Sequence, residues 1–331
     1  MNNSLNKPKL LFLFSLPRSG STLCQRIMGA HKDIATAAEP HLLLPLMYSL
    51  NPNGVYSTYS HEFMVRGVQS LCAYLPNGVD DYMNEVRKFV FRVYAKTVRN
   101  HEKYFLDKTP AYHHIAGDII ALFPEAKFVF LWRNPLSVVS SYIETFYNGQ
   151  WQIQNEEFSF FDGLEALVSA YQKYEMRSIA VRYEDIVFSP LRTWQKVFNY
   201  LELSFYPEII ENFYKVKLKE KDSGDPYARL PEYQSIRQTS VDRWKNVLVN
   251  PLRKAWCRRY LCRIGEKRLG VMGYDFQSLL SEINSQPSDF RFLLDDIFHF
   301  PYGLLCRFFE PRIMSHKLKR LRDGQRLYMH R

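Results

Sequence analysis

The sequence predicts an α/β fold, a central parallel sheet flanked by helices. Three observations predict it. Short apolar runs alternate with longer amphipathic ones from residue 9 to about 201, the order expected of strand–helix units. The first apolar run, Lys9-Leu10-Leu11-Phe12-Leu13-Phe14-Ser15, passes through a Gly/Ser loop into a helix-like pattern. Four expected strand ends carry polar groups, at residues 16–22, 107–109, 133–134 and 182–185, the edge of a parallel sheet where ligands bind.

The run over residues 9–15 is short, apolar and punctuated by Pro17 and Gly20, so it reads as a buried strand. Residues 21–31 read as a helix, with Leu23, Ile27, Met28 and Ala30 on its apolar side, and residues 42–50 as another. Residues 51–76 are poorly patterned, and Asn51-Pro52-Asn53-Gly54 signals a turn. Met83, Val86, Val90, Val93 and Val98 fall near helical spacing within 80–100. A short strand over 103–106 ends in Asp107-Lys108-Thr109-Pro110, where Thr109 is placed to cap a helix that Pro110 opens. Residues 113–122 read as helical; His113 and His114, adjacent on it, point about 100° apart and do not share a metal easily. Residues 127–132 form a strongly β-prone strand that ends at Arg133-Asn134-Pro135, and a helix runs on to about Tyr147. Helices over 160–174 and 190–201 enclose a strand over 179–182. Beyond 205 the pattern mixes helix and loop. The chain divides into a domain over 1–285 and an extension over 286–331, aromatic first and then basic, read as helical.

Apolar residues make up 46% of the 331 and charged ones 24%, which suits a large globular core and excludes a disordered or fibrous chain. The net charge of 44 − 34 = +10 draws anionic partners without choosing among them. Five scattered cysteines show no disulfide framework and no zinc spacing, as in a reducing compartment. The apolar run after the polar N-terminus is too short for a signal peptide or a membrane span, so a cytoplasmic protein is expected.

A strand running through a Gly/Ser loop into a helix start holds phosphate, because first-turn N–H groups and the helix dipole favour an anion. The loop adds a cation, Arg18, and two hydroxyls, Ser21 and Thr22. It departs from a Walker A loop, since Ser21 stands where that motif has its Lys. The strand expected to carry a magnesium-binding Asp ends in Arg133, which cannot ligate a metal. Protein cations therefore stand in for a metal. Ser141 lies eight residues after Arg133, about two helical turns on, and a guanidinium fork with a hydroxyl suits a second phosphate.

With these residues in place, the chain resembles the PAPS-dependent sulfotransferases, a P-loop-like three-layer fold; PAPS is 3′-phosphoadenosine-5′-phosphosulfate. The resemblance rests on four motifs in the family's order, over roughly residues 9–275. They are Pro17-Arg18-Ser19-Gly20-Ser21-Thr22, Arg133 through Ser141, Arg182-Tyr183-Glu184-Asp185, and the stretch from Arg237 to Arg243-Trp244. It implies that the first loop (Arg18, Ser19, Gly20, Ser21, Thr22) binds the 5′-phosphosulfate and that Arg133 and Ser141 bind the 3′-phosphate. Tyr183 would lie near the adenine, with Arg237 and Arg243 closing the nucleotide site. Glu39, 21 residues after Arg18, matches the general base of the tyrosylprotein and related bacterial enzymes. His41 is the rival base, since histidine titrates near neutrality.

The resemblance implies metal-independent, in-line transfer of a sulfuryl group from PAPS to a hydroxyl or amine acceptor, leaving adenosine 3′,5′-bisphosphate. By analogy with phosphoryl transfer, positioning and electrostatics dominate. Arg18 would neutralise charge on the 5′-phosphate, Lys108 would do so on the sulfuryl oxygens, and Glu39 would take the acceptor's proton with a pKa raised by burial. A carbohydrate or lipid-linked acceptor is expected first and a small phenol or peptide next, under residues 42–76 and 220–234, and no nucleic acid partner. Two other readings remain: a P-loop nucleotide kinase or NTPase, against which the absent Walker residues argue, and a non-catalytic basic binder of anionic polymer. The tail from Arg312 to Arg331 holds seven basic residues against Asp323 alone. That charge suits either a solvated helix or peripheral contact with an anionic membrane or polymer.

Overall fold

The computed structural model describes residues 8–52, 55, 59–216, 218, 235–309 and 311–324. The apolar run at the N-terminus forms β1 (Lys9–Phe14), buried after its first residue. It lies at the centre of a five-stranded sheet of order β2-β3-β1-β4-β5, with β2 (Ile34–Thr36), β3 (Tyr104–Asp107), β4 (Lys127–Trp132) and β5 (Ser178–Arg182). Every pairing is parallel: Leu11 faces Leu106 on one side and Lys127 on the other, and Trp132 faces Arg182.

Strands covered on both faces need apolar residues at every position, and the side chains of β1 alternate between two cores. Leu10, Phe12 and Phe14 join one, and Leu11 and Leu13 the other. On the first face pack α4 (Val79–Ala95), α5 (Ala116–Leu122), α6 (Pro135–Tyr147) and α7 (Leu164–Lys173). On the second pack α1 (Ser21–Gly29), α8 (Tyr183–Phe188), α9 (Pro190–Tyr200) and α10 (Glu208–Asn212). The result is a three-layer α/β arrangement of the P-loop-like kind. α2 (Leu43–Tyr48) packs Leu43 and Met47 into the first core, and α3 (His61–Cys72) lies against α4. The chain continues through α11 (Trp244–Val247), α12 (Pro251–Ile264), α13 (Glu266–Val271) and α14 (Phe276–Ser285) to α15 (Leu293–Phe309) and α16 (Pro311–Arg322).

Several elements depart from the sequence reading. β2 and α8 had no counterpart in it, and α3 lies in the stretch read as unpatterned. The helix expected over 113–122 opens as a 3-10 turn, Pro110–His114, before α5 begins. The helix expected over 160–174 opens as a π-helical turn, Ser159–Gly163, where an ideal Cβ on Gly163 would lie 2.3 Å from His113 Cδ2. Thr109 does not cap: its hydroxyl donates to Asp107 Oδ1 at 3.0 Å instead.

α15 is tied down by a buried ion pair. Arg253 of α12 donates through Nε and Nη2 to Asp296, both side chains fully buried. Its remaining donors reach the carbonyls of Val247 and Gly149. Among the described residues, no helix is long and apolar enough to cross a membrane.

Candidate active site

The parallel sheet sends five strand tips to one edge, and a cleft of about 500 Å³ opens there. The tip of β1 supplies its floor. After Pro17 the backbone takes left-handed conformations at Arg18 (φ 66°) and Gly20 (φ 94°), the latter the N-cap of α1. Gly20, Ser21 and Thr22 line the cleft, and the first-turn N–H groups of α1 lack intrahelical acceptors. Gly20 is required twice over. Its φ strains any L side chain, and an ideal Cβ would lie 2.5 Å and 2.6 Å from the Tyr183 ring carbons Cδ2 and Cε2. Ser19 does not line the cleft; it is buried, and its N–H closes the loop onto the Leu16 carbonyl at 3.3 Å.

The tip of β4 supplies the second cation. Arg133 Nη1 donates to the Arg18 carbonyl and Nη2 to the Ser240 carbonyl, each at 2.8 Å. Its guanidinium lies over the Tyr183 ring, 4.4 Å from the centroid. Nε is buried and has no hydrogen-bond partner. Arg18 reaches the same region: its Nε lies 3.4 Å from Ser141 Oγ on α6, and both residues line the cleft with Arg133. The two arginines thus share one cavity. Tyr183 Oη lies 2.8 Å from Ser240 Oγ, and Ser137 Oγ donates to the Val241 carbonyl at 3.0 Å. These bonds fasten the 237–244 segment over the start of α6. Arg237 lines the cleft, as does Arg243, whose Nε pairs with Glu144 at 2.8–2.9 Å.

The tips of β2 and β3 build the other end. Lys108, 1% exposed, donates to Glu39 Oε1 at 2.6 Å and lies 3.4 Å from Thr22 Oγ1. Lys108 does not line the cleft and meets it through these two partners. Glu39 Oε2 lies 3.5 Å from His41 Nε2, and both residues line the cleft. Burial pushes the Glu39 carboxyl up, but His41 and Lys108 together outweigh it and hold it below the usual glutamate value. The expectation of a raised carboxyl is therefore overturned, because the His41 ring and a buried ammonium both sit against it.

The segment carrying Glu39 hangs on a buried carboxylate. Asp107 accepts from Tyr94 Oη and Thr109 Oγ1. Thr109 Oγ1 in turn accepts from the His41 N–H at 3.3 Å, and Tyr112 Oη from the Leu43 N–H at 3.1 Å. Burial pushes the Asp107 carboxyl up to about 6, with hydrogen bonds from Tyr94, Thr109 and Tyr112 acting against it. An acid at the end of an otherwise apolar strand, Tyr104-Phe105-Leu106-Asp107, was the available signal for this cluster.

The wall beyond Glu39 comes from residues 110–114 and 142–159, including His114, Tyr142, Phe146 and Glu156. No described residue of 42–76 lines the cleft, contrary to expectation, and 220–234 lies outside the described residues. The two histidines do not point apart. Their ring centroids are 3.8 Å apart. His113 Nδ1 donates to the Pro110 carbonyl at 2.6 Å, and burial pushes the ring down to about 3, so it is neutral. No metal-binding cluster of His, Cys, Asp or Glu occurs among the described residues.

A family model described as the sulfotransferase family matches residues 8–208. Nodulation protein NoeE of Sinorhizobium fredii is 30% identical over 135 residues, 40% of this chain and 31% of its own length, so the match spans under a third of that relative. A Caenorhabditis briggsae protein named "Putative protein-tyrosine sulfotransferase" is 22% identical over 300 residues, 89% of this chain and 97% of its own. Among solved structures, the sulfotransferase domain from the curacin biosynthetic pathway aligns with a TM-score of 0.50 at 22% identity. It covers 78% of this chain and 97% of its own, a likeness of fold.

Proposed function

The chain belongs to the sulfotransferase family, and on that premise we propose that it carries a sulfuryl group from PAPS to a hydroxyl or amine acceptor, leaving adenosine 3′,5′-bisphosphate. One observation carries this reading. Arg18 and Arg133, on adjacent strand tips, share a cleft and are joined by the 2.8 Å bond from Arg133 Nη1 to the Arg18 carbonyl. A nucleotide phosphorylated at both ends of its ribose needs two such anion sites. The fit is supported by Arg133 Nε, a buried donor without a partner beside a cleft.

The residues then take these roles. The first turn of α1, with Ser21 and Thr22, binds the 5′-phosphosulfate, and Arg18 neutralises the charge that grows on the leaving phosphate. Arg133 and Ser141 bind the 3′-phosphate. Arg133 offers it Nε, which has no partner, and the second N–H of each Nη, whose first is held by a carbonyl. Tyr183 keeps Arg133 in place through its ring face. Arg237 and Arg243 guard the mouth on that side. Protein cations take the place of a metal, because β4 ends in Arg133 where a magnesium site would need an acid.

Glu39 takes the acceptor's proton. A carboxylate held low accepts it as the acceptor oxygen bonds to sulfur and its own acidity rises. Lys108 acts through Glu39, keeping that carboxylate charged and aimed. His41 is the second candidate, and variants separate them: turnover lost in Glu39→Gln but kept in His41→Gln points to Glu39, and the reverse to His41. Aromatic Tyr142 and Phe146 beside polar Ser159 and Glu156 suit a carbohydrate or lipid-linked acceptor.

The test is thermal stabilisation by adenosine 3′,5′-bisphosphate against ATP, with and without magnesium. Ligand at about 100 times Kd adds about 2.7 kcal/mol. For 331 residues that raises Tm by about 4 °C. Equal stabilisation by ATP with magnesium would overturn the 3′-phosphate assignment and favour a kinase or NTPase. No response to either nucleotide would leave a basic binding protein.

A further inference from the structure

The C-terminal helices expose several large apolar side chains. α15 is apolar on two opposite sides. Inward, Phe300 stacks on Trp151 at 4.9 Å, Asp296 pairs with Arg253, and Gly303 lies against the Gln154 side chain. Outward, Leu294, Phe298, Pro301 and Leu305 recur at steps of four, three and four, which sets them on one helix face. Leu294, Phe298 and Leu305 are 76%, 75% and 56% exposed. α16 begins at Pro311 and carries an apolar stripe of its own, exposed Met314, Leu318 and Leu321 at steps of four and three. Its twelve residues include Arg312, Lys317, Lys319, Arg320 and Arg322 and no Asp or Glu. Lys319 and Arg322, each next in sequence to a stripe residue, are exposed.

We propose that these two helices dock on an anionic phospholipid bilayer, with their exposed apolar side chains in the interface and the α16 cations over the headgroups. Charge decides the occupant. In a two-fold dimer through these helices, both copies' basic helices would be brought into one interface, and the like charges repel. An anionic polymer would neutralise the cations but leave the stripe in water. An anionic bilayer satisfies both, and each Lys or Arg near such a surface strengthens binding roughly fivefold. The segment Ile153–Glu156 lies between this helix and the cleft, with Gln154 against Gly303 and Glu156 in the cleft wall. A docked α15 would thus hold the cleft one segment from the lipid. The inference stands on the helices alone, whether or not the sulfuryl reading holds.

The test is sedimentation of the full chain with phosphatidylcholine vesicles, with and without phosphatidylglycerol, over a range of salt. Binding should require phosphatidylglycerol and weaken as salt rises. Lys319→Gln with Arg322→Gln should cost roughly 25-fold, fivefold for each charge. Phe298→Ser with Leu305→Ser should abolish binding while leaving Tm unchanged, since both side chains face water. Equal binding to neutral vesicles would overturn the proposal. So would a dimer in light scattering that ignores vesicles, or heparin binding indifferent to the Phe298 and Leu305 changes.

Discussion

Removing the Glu39 side chain should unfold the protein more readily as well as silence it, and the two effects can be separated. Lys108 is 1% exposed, and its close partners are Glu39 Oε1 at 2.6 Å and Thr22 Oγ1 at 3.4 Å. Glu39→Ala strands the ammonium. Breaking a buried pair from one side costs about 3–5 kcal/mol. The lower end applies, because Glu39 is 13% exposed and cleft water can replace it. About 3 kcal/mol over 331 residues lowers Tm by roughly 4 °C. Glu39→Gln keeps an oxygen for Lys108 and should lose less stability, yet lose turnover entirely while still binding adenosine 3′,5′-bisphosphate. Glu39→Ala with Lys108→Met removes the stranded charge and should recover most of the lost Tm without recovering turnover. Melting curves of the four proteins, with nucleotide binding as a fold control, decide the matter. The Glu39 carboxyl is held below its ordinary value, so its stabilisation is present above that ordinary value and lost as pH falls through the folded one. The gap between the parent and Glu39→Gln should therefore close in acid. A Glu39→Ala protein that melts with the parent, or a double variant no better than the single, would refute the reasoning.

Gly20→Ala places a Cβ within 2.6 Å of the Tyr183 ring at a left-handed φ and should cost at least tenfold in nucleotide affinity by calorimetry, since about 1–2 kcal/mol of backbone strain adds to the clash. Arg133→Ala should weaken nucleotide binding far more than acceptor affinity in steady-state kinetics. Arg133→Lys should not rescue it, because an ammonium cannot span the Arg18 and Ser240 carbonyls as the fork does. Arg253→Met leaves Asp296 buried without its main partner and should cost about 3–5 kcal/mol in denaturant unfolding, most of it regained with Asp296→Leu. The Asp107 carboxyl is pushed up to about 6, so its contribution to stability is full below the ordinary aspartate value and lost as pH rises through about 6. Unfolding curves across that range should show the loss in the parent and a flatter profile in Asp107→Asn.

The strands legible in the sequence are those of four residues or more, and the two longest are the plainest. β1 and β4 are unbroken apolar runs, and α6 starts at Pro135 with Asn134 as its cap, accepting from the Leu136 N–H at 2.9 Å. β2 was missed because it is three residues on the sheet edge. α3 buries only His61, Val65 and Cys72, while Phe63 and Leu71 stay 68% and 58% exposed, so its apolar pattern is blurred. In the site, the meeting of Arg18 and Arg133 followed from the rule that parallel strands end together. The pairing of Lys108 with Glu39 spans 69 residues and leaves no local trace; it is set by β2 lying beside β3, and β2 was itself invisible. The Thr109 hydroxyl was misassigned for a similar reason, since Asp107, two residues earlier, outcompetes the helix end for it.

The strand order has a lasting consequence for how such a cleft changes. Read across the sheet edge, Glu39 follows β2, Lys108 follows β3, Arg18 follows β1, Arg133 follows β4 and Tyr183 follows β5. Neighbouring strands stand about 4.8 Å apart, so these groups fall along a graduated line, each mark anchored to its own rung. On the proposed reading, the β2 and β3 rungs face the recipient and the β4 and β5 rungs the donor, so substitutions at one end of the scale can change the recipient and leave the hold on the donor untouched.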